Sequence, residues 1–464
     1  MGSRQKIRSE LKVFLLWAIS SLVIFAVTVY IIIAFNQEVP KSQVVSLWVQ
    51  SLGIIYANAT TYLLATIPYL LFVLLRSIYR DYIKKSWKGL ITGASIKLLL
   101  PAFLVIIYTQ FIDSYRLSEN FEYTWDYSIE NTSSSIKDLH EIDQKHRGIH
   151  VFNLLADSTD LEILKTNNVE WLTLVPYMSQ QEYDTPSLRV GFGRRDSTRR
   201  FTRYHKTKEL ADAYGFKIML KPHIWLNNTP GGIWRSNIKM KTEADWDLWF
   251  QQYEAFILPY AELAEELDIE LFCVGTELHT PVIEKPEKWR ALIQKVKQVY
   301  SGKLTYAANW SDEVEHVDFW DELDFIGVQA YFPVASRRNP SLEHMEAGWE
   351  KHIDYLQNQS NAFNKPVLFT EIGYKSTSNA GIKPWEWNSL SNRFYRRISK
   401  RTQALAYQAF FNTVWQEPWF AGAHIWEWQS RGTRDGNDNS FTLEGKPALN
   451  IVAKGFGSVS SEFP

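Results

Sequence analysis

The chain has almost no cysteine, no excess of charge of either sign and no glycine-rich phosphate turn, and each absence removes a class of protein. Its 464 residues include one cysteine, Cys273, so no intramolecular disulfide framework is available. Lysine and arginine number 50 against 51 aspartates and glutamates, a balance that gives no reason to expect a nucleic-acid partner. GFGRR at 191–195 lies among charges and precedes no apolar strand–helix pair, so it reads as a loop, not a dinucleotide fingerprint. No group of His and Cys stands at metal-ligand spacing, and DGNDN at 435–439 reads as a turn in preference to a calcium loop. Internal repeats and low-complexity tracts are missing too. What is abundant is aromatic: 15% of residues, with 19 Trp and 23 Tyr. Tryptophan at that density belongs at membrane interfaces or on sugar-stacking surfaces.

The composition changes along the chain. Residues 11–35 form an apolar run with no charge after Lys12, long enough to span a bilayer and too long for a signal-peptide core. A second run, 53–75, carries Asn58, Thr60, Thr61 and Pro68, and a third, 90–112, centres on LLLPAFLVII. Basic residues cluster before the first run (Arg4, Lys6, Arg8, Lys12) and between the second and third (Arg76, Arg80, Lys84, Lys85, Lys88). Only Lys41 lies between the first and second. Basic loops stay cytoplasmic. Residues 1–112 therefore read as a membrane region of about three helices in the lipid bilayer, with everything after Ile112 outside the cytoplasm. A re-entrant or buried middle run would reverse that orientation.

Residues 113–147 are polar and read as a linker. From 148 to 458 the chain alternates short apolar runs with amphipathic stretches. Eight candidate strands lie at 148–154, 169–176, 216–223, 269–276, 303–309, 323–331, 366–371 and 421–428. Between them, 243–267 shows helical spacing of Trp246, Phe250, Tyr253 and Phe256, and 286–300 is also amphipathic. Eight strand–helix repeats in about 310 residues predict an α/β fold, a (β/α)8 or TIM barrel.

In such a barrel the site is built at the C-terminal ends of the strands. His223 and Trp225 stand there after strand three, Glu277 after strand four, and Asn309 and Trp310 after strand five. Gln329 and Tyr331 follow strand six, Glu371 strand seven, and Trp426 and Trp428 strand eight. Two glutamates on strands four and seven can serve as acid/base and nucleophile for a glycosidic bond. Tryptophan faces suit pyranose rings, and the amides, imidazole and phenol can bind hydroxyls. Each residue has a competing structural reading. Glu277 can cap a following helix, Glu371 can serve as an ion-pair partner, His223 can be a satisfied core histidine, and the tryptophans can be barrel-top packing. Glu427 alternates away from its two Trp neighbours and is left out.

These motifs carry a resemblance. KPHIW, FCVGTEL, LTYAANW, LDFIGVQAYFP and FTEIGY resemble glycoside hydrolase family 113, in clan A of the glycoside hydrolases, over about 148–455. The family is known for endo-β-1,4-mannanases. The resemblance implies a TIM barrel, an oligo- or polysaccharide substrate, no cofactor, no metal, Glu277 as acid/base and Glu371 as nucleophile. Thr276 stands where most of the clan carries Asn, which removes an amide from the substrate's 2-hydroxyl. The readings that compete with a β-glycoside hydrolase are a non-catalytic carbohydrate-binding or envelope-assembly protein, and a transglycosidase using the same carboxylates.

Overall fold

Alternation of short apolar runs with amphipathic helices closes the C-terminal part of the chain into a barrel. The computed structural model describes residues 2–34, 44–57, 59–108, 139–152, 159–190, 197–386, 398–429 and 438–458. They belong to two compact units, Met1–Ser114 and Tyr115–Pro464. The GFGRR loop at 191–195 and most of the 113–147 linker lie outside the described residues.

Eleven strands are formed among the described residues of the second unit: β1 (His146–Phe152), β2 (Trp171–Leu174), β3 (Tyr177–Gln180), β4 (Leu188–Val190), β5 (Lys217–Leu220), β6 (His223–Leu226), β7 (Leu271–Thr276), β8 (Lys303–Asn309), β9 (Phe325–Gln329), β10 (Val367–Ile372) and β11 (Phe420–Gln429). Eight of them close a barrel in the order β1-β11-β10-β9-β8-β7-β5-β2, every pairing parallel. These eight coincide with the eight expected runs. The remaining three make a small sheet, β4-β3-β6, that the sequence pattern did not separate. Prolines account for it. Pro176 and Pro222 have no N–H for a ladder, so β2 and β5 stop short of them and the chain resumes as β3 and β6.

Helices cover the barrel for readable reasons. Glu243–Glu266 starts where Thr242 accepts from the Asp245 N–H at 3.1 Å, and it buries Trp246, Trp249, Phe250, Tyr253, Phe256 and Tyr260 on one face. Trp249 donates to Gln180 (3.0 Å) and Tyr253 to the Val274 carbonyl (2.9 Å), which fixes the helix to the sheets. Pro286 opens Pro286–Val299 at a first-turn position. At the N-terminal end of the barrel, Trp171, Met219, Leu271, Phe325, Leu368 and Ala421 form an apolar plug, one from each of six strands. Cys273 is fully buried in β7.

In the first unit the helices are Gly2–Ala34, Val44–Ala57 and Ala59–Ala94, the last continuing through Ser95–Leu99 to residue 108. Two stretches, Lys12–Ile31 and Tyr69–Tyr108, are long and apolar enough to cross a membrane. The middle apolar run falls in Val44–Ala57 and Ala59–Ala94. At 1.5 Å per residue the 40-residue stretch is roughly 60 Å long, about twice a bilayer's hydrocarbon core. Ser86 interrupts it at φ 54°, beside Lys84, Lys85 and Lys88.

Candidate active site

The two glutamates leave β7 and β10, with β8 and β9 between them, and both line one cavity of about 900 Å³ at the C-terminal mouth of the barrel. Nine of the ten residues expected there line it: His223, Trp225, Glu277, Asn309, Trp310, Gln329, Tyr331, Glu371 and Trp426.

Trp428 does not. It is buried, and its indole donates to Asp160 at 3.1 Å. The alternation rule fails there because the β1–β11 register slips by one residue: Ile149 pairs with Ile425, but Val151 pairs with Trp428. A bulged residue reverses the face of everything beyond it.

Glu371 is 4% exposed and tightly held. Its Oε2 accepts from Lys221 Nζ (2.8 Å) and Gln329 Nε2 (2.8 Å), and its Oε1 accepts from the Tyr331 hydroxyl. Lys221 is fully buried and also donates to Gln329 Oε1 (3.0 Å) and the Thr370 carbonyl (3.2 Å). A buried ammonium at that position, with every proton engaged, holds the carboxylate in one orientation. Burial, with the charges of Glu371 and Glu277, pushes the Tyr331 phenol well above its ordinary range, so it remains a donor. Gln329 thus acts on Glu371, where the sequence suggested a substrate contact.

Glu277 is 7% exposed. Its Oε2 accepts from Trp234 Nε1 (2.7 Å) and lies 3.6 Å from Arg235 Nε, and its Oε1 accepts weakly from Asn309 Nδ2 (3.5 Å). Its backbone has φ 53°, a conformation that costs a non-glycine residue about 1–3 kcal/mol. Neighbouring bonds enforce it. Glu277 N–H donates to the Ala307 carbonyl (2.9 Å), and Leu278 N–H donates to the Tyr306 hydroxyl (2.7 Å). Tyr306 in turn donates to buried Glu313 (2.5 Å), which also accepts from Asn309 N–H (2.8 Å). Burial pushes the Glu313 carboxyl up to about 8. The Glu313–Tyr306 pair therefore fixes the backbone just after Glu277.

Two histidines sit deep in the mouth. Arg235 donates to His223 Nδ1 at 2.8 Å, which leaves the hydrogen on Nε2, and that atom has no partner among the described residues. His150 Nδ1 faces the Ile425 carbonyl (3.2 Å), so its Nε2, 3.9 Å from Glu371 Oε2, is unprotonated. Burial first, then nearby cations, drives both rings well below the usual histidine range and keeps them neutral. Around the rim, Trp225 meets Trp234 edge-on at 5.9 Å, and Trp310 lies 5.0 Å from Trp385 at 31°. Sequence reasoning missed Lys221, Tyr177, Trp234, Arg235, Trp385 and Phe441. Lys221 was visible in KPHIW, on the same strand parity as His223. Trp234 and Arg235 lie in irregular chain that carries no periodic signal.

A closed parallel eight-stranded barrel with two glutamates on its fourth and seventh strands defines a (β/α)8 protein whose cavity is equipped for glycoside chemistry. The sequence profile of Glycoside Hydrolase Family 113 matches residues 147–446. The chain belongs to that family and is a glycoside hydrolase. The family's β-mannanase from Alicyclobacillus acidocaldarius, solved in complex with ManMIm, is 28% identical over 68% of this chain and 98% of its own, with a TM-score of 0.58. Two further structures share the fold: a family 113 β-1,4-mannanase complex (23% identity, 68% and 99% coverage, TM-score 0.58) and a family 113 β-1,4-mannanase (24%, 67% and 98%, 0.57). No curated protein sequence matches significantly.

Proposed function

We propose that this glycoside hydrolase works with retention of configuration on a β-linked, manno-configured glycan, with Glu371 as nucleophile and Glu277 as acid/base. The observation that carries the reading is the Glu371 carboxylate, fixed by Lys221, Gln329 and Tyr331 in the same cavity as Glu277. Glu371 Oε1, engaged only by Tyr331 among the described residues, forms a bond to the anomeric carbon. Glu277 gives its proton to the departing glycosidic oxygen as that bond breaks. Water then attacks the same carbon while Glu277 takes its proton, and Glu371 is released. The His223 Nε2–H is a donor for a sugar hydroxyl, and the Trp225–Trp234 and Trp310–Trp385 pairs offer stacking faces. The similarity to β-mannanases supports the manno configuration. The test compares the full chain with Glu371→Gln on aryl β-mannosides and β-mannan oligosaccharides. Release by the wild type alone supports the reading, whereas equal binding without turnover by both makes the protein a carbohydrate binder.

The first unit we read as an anchor of about three spans, the apolar runs at 11–35, 53–75 and 90–112, with the basic residues Arg76, Arg80, Lys84, Lys85 and Lys88 between the last two. The basic flanks then place the barrel on the non-cytoplasmic side. Ser133→Cys should react with a membrane-impermeant maleimide in intact cells, against a low background because Cys273 is buried. Labelling only after lysis would reverse the topology.

A further inference from the structure

Beside the acid/base, the segments after β7 and β8 bring together three side chains, two of them one helical turn apart. His279 lies two residues past Glu277 and opens the short helix His279–Glu284 that follows β7. Asp312 and His316 lie at the two ends of the short turn that follows β8. One ligand atom from each falls within 4.8 Å of the others. We propose that His279, Asp312 and His316 bind a divalent transition cation of zinc type.

The arrangement has three features of a ligand set. His316 Nδ1 hydrogen-bonds to the Asp312 carbonyl at 2.7 Å, which places its hydrogen there and leaves the lone pair on Nε2, the tautomer a metal-bound imidazole adopts. His279 Nε2 is enclosed, makes no hydrogen bond and stands 3.5 Å from Asp312 Oδ2. Asp312 uses its other oxygen to accept from Ser311 Oγ at 3.0 Å, so Oδ2 remains for an ion.

Size decides the geometry. Zinc–nitrogen and zinc–oxygen bonds of about 2.0–2.1 Å give tetrahedral edges of roughly 3.3–3.5 Å. The His279–Asp312 pair already stands at that separation. The widest separation in the group has to close by about 1.5 Å at most, and both Asp312 and His316 are exposed and have room to do so. Two imidazoles and one carboxylate suit zinc or its neighbours and discriminate against calcium and magnesium, which prefer all-oxygen sets. Three protein ligands leave a fourth position for water. An ion here ties the segment after β7 that bears Glu277 to the segment that follows β8, so it stiffens the acid/base without touching it.

The experiment strips the purified full chain with a chelator and titrates it with Zn²⁺ by calorimetry while following thermal unfolding. The wild type should bind one equivalent, with an unfolding midpoint that rises with zinc. His279→Ala and the surface variant His316→Ala should each weaken binding by about tenfold or more. No stoichiometric zinc, an equivalent retained by both variants, or equal binding of Ca²⁺ would overturn the assignment. None of these readouts depends on the glycan.

Discussion

Replacing Lys221 with methionine removes a fully buried ammonium and three hydrogen bonds, to Glu371 (2.8 Å), Gln329 (3.0 Å) and the Thr370 carbonyl (3.2 Å). Methionine fills much of the space, so the loss is mainly electrostatic. Glu371 is left as a buried charge with no cation within bonding reach, because His150 is neutral. Removing one partner of such a pair costs roughly 3–5 kcal/mol, a large share of a domain's net stability. At about 2–4 °C per kcal/mol the barrel's unfolding midpoint should fall on the order of 10 °C. Activity should fall by more than about 100-fold in kcat/KM, since Glu371 loses the bond that aims it. Lys221→Met combined with Glu371→Gln removes both charges and leaves an amide that Gln329 and Tyr331 can still contact. The double variant should recover about 2 kcal/mol or more relative to the sum of the single losses. The assay is thermal unfolding of the full chain by tryptophan fluorescence, with kinetics on an aryl β-mannoside. Strict additivity of the two single changes would refute the argument that Lys221 exists to hold Glu371.

Three further outcomes follow from particular contacts. Trp428→Phe loses the bond to Asp160 and part of a buried ring's volume. It should cost roughly 1–3 kcal/mol of stability and leave KM unchanged, whereas Trp310→Ala should raise KM for oligosaccharides, as steady-state kinetics will show. Glu313→Gln confronts either the Tyr306 hydroxyl or the Asn309 N–H with a second donor. It should lower stability by about 1–3 kcal/mol and reduce kcat more than KM, because the backbone around Glu277 loosens. Asp438 governs an acid limb. Burial alone would raise its carboxyl, but hydrogen bonds from Lys446 and Ser440 and the charge of Lys446 bring it from 3.8 down to about 2. A carboxyl depressed in the folded state contributes stability that is complete above the unfolded value and lost as pH falls through the folded one. Asp438 is about one-third exposed, so its contribution discounts to about 1 kcal/mol. Unfolding of wild type and Asp438→Asn should differ by that amount at pH 5 and converge below about pH 2.

Much of the barrel was legible because its strands are runs of Val, Ile, Leu and Phe buried on both faces, set between helices whose aromatic spacing is regular. The positions of Glu277 and Glu371 followed from strand number alone. The departures have local causes. The strands expected at 169–176 and 216–223 each break at a proline, giving β3 and β6. Trp428 left the cavity because a register slip against β1 is invisible to an alternation rule. Lys221 was passed over because a lysine before Pro-His reads as a surface residue until the fold buries it. Trp234 and Arg235, which contact Glu277, come from a loop without periodicity. The His279–Asp312–His316 group had no spacing signature because it joins two segments that only the barrel brings together.

The account rests on Glu371 forming a covalent bond to the anomeric carbon. The most direct measurement is proton NMR of the full chain's first product from a β-manno-oligosaccharide, read before mutarotation. The account predicts the β-anomer first, together with mass-spectrometric labelling of the Glu371 peptide by a 2-deoxy-2-fluoro glycosyl fluoride. Initial release of the α-anomer, or labelling of any other residue, would contradict it.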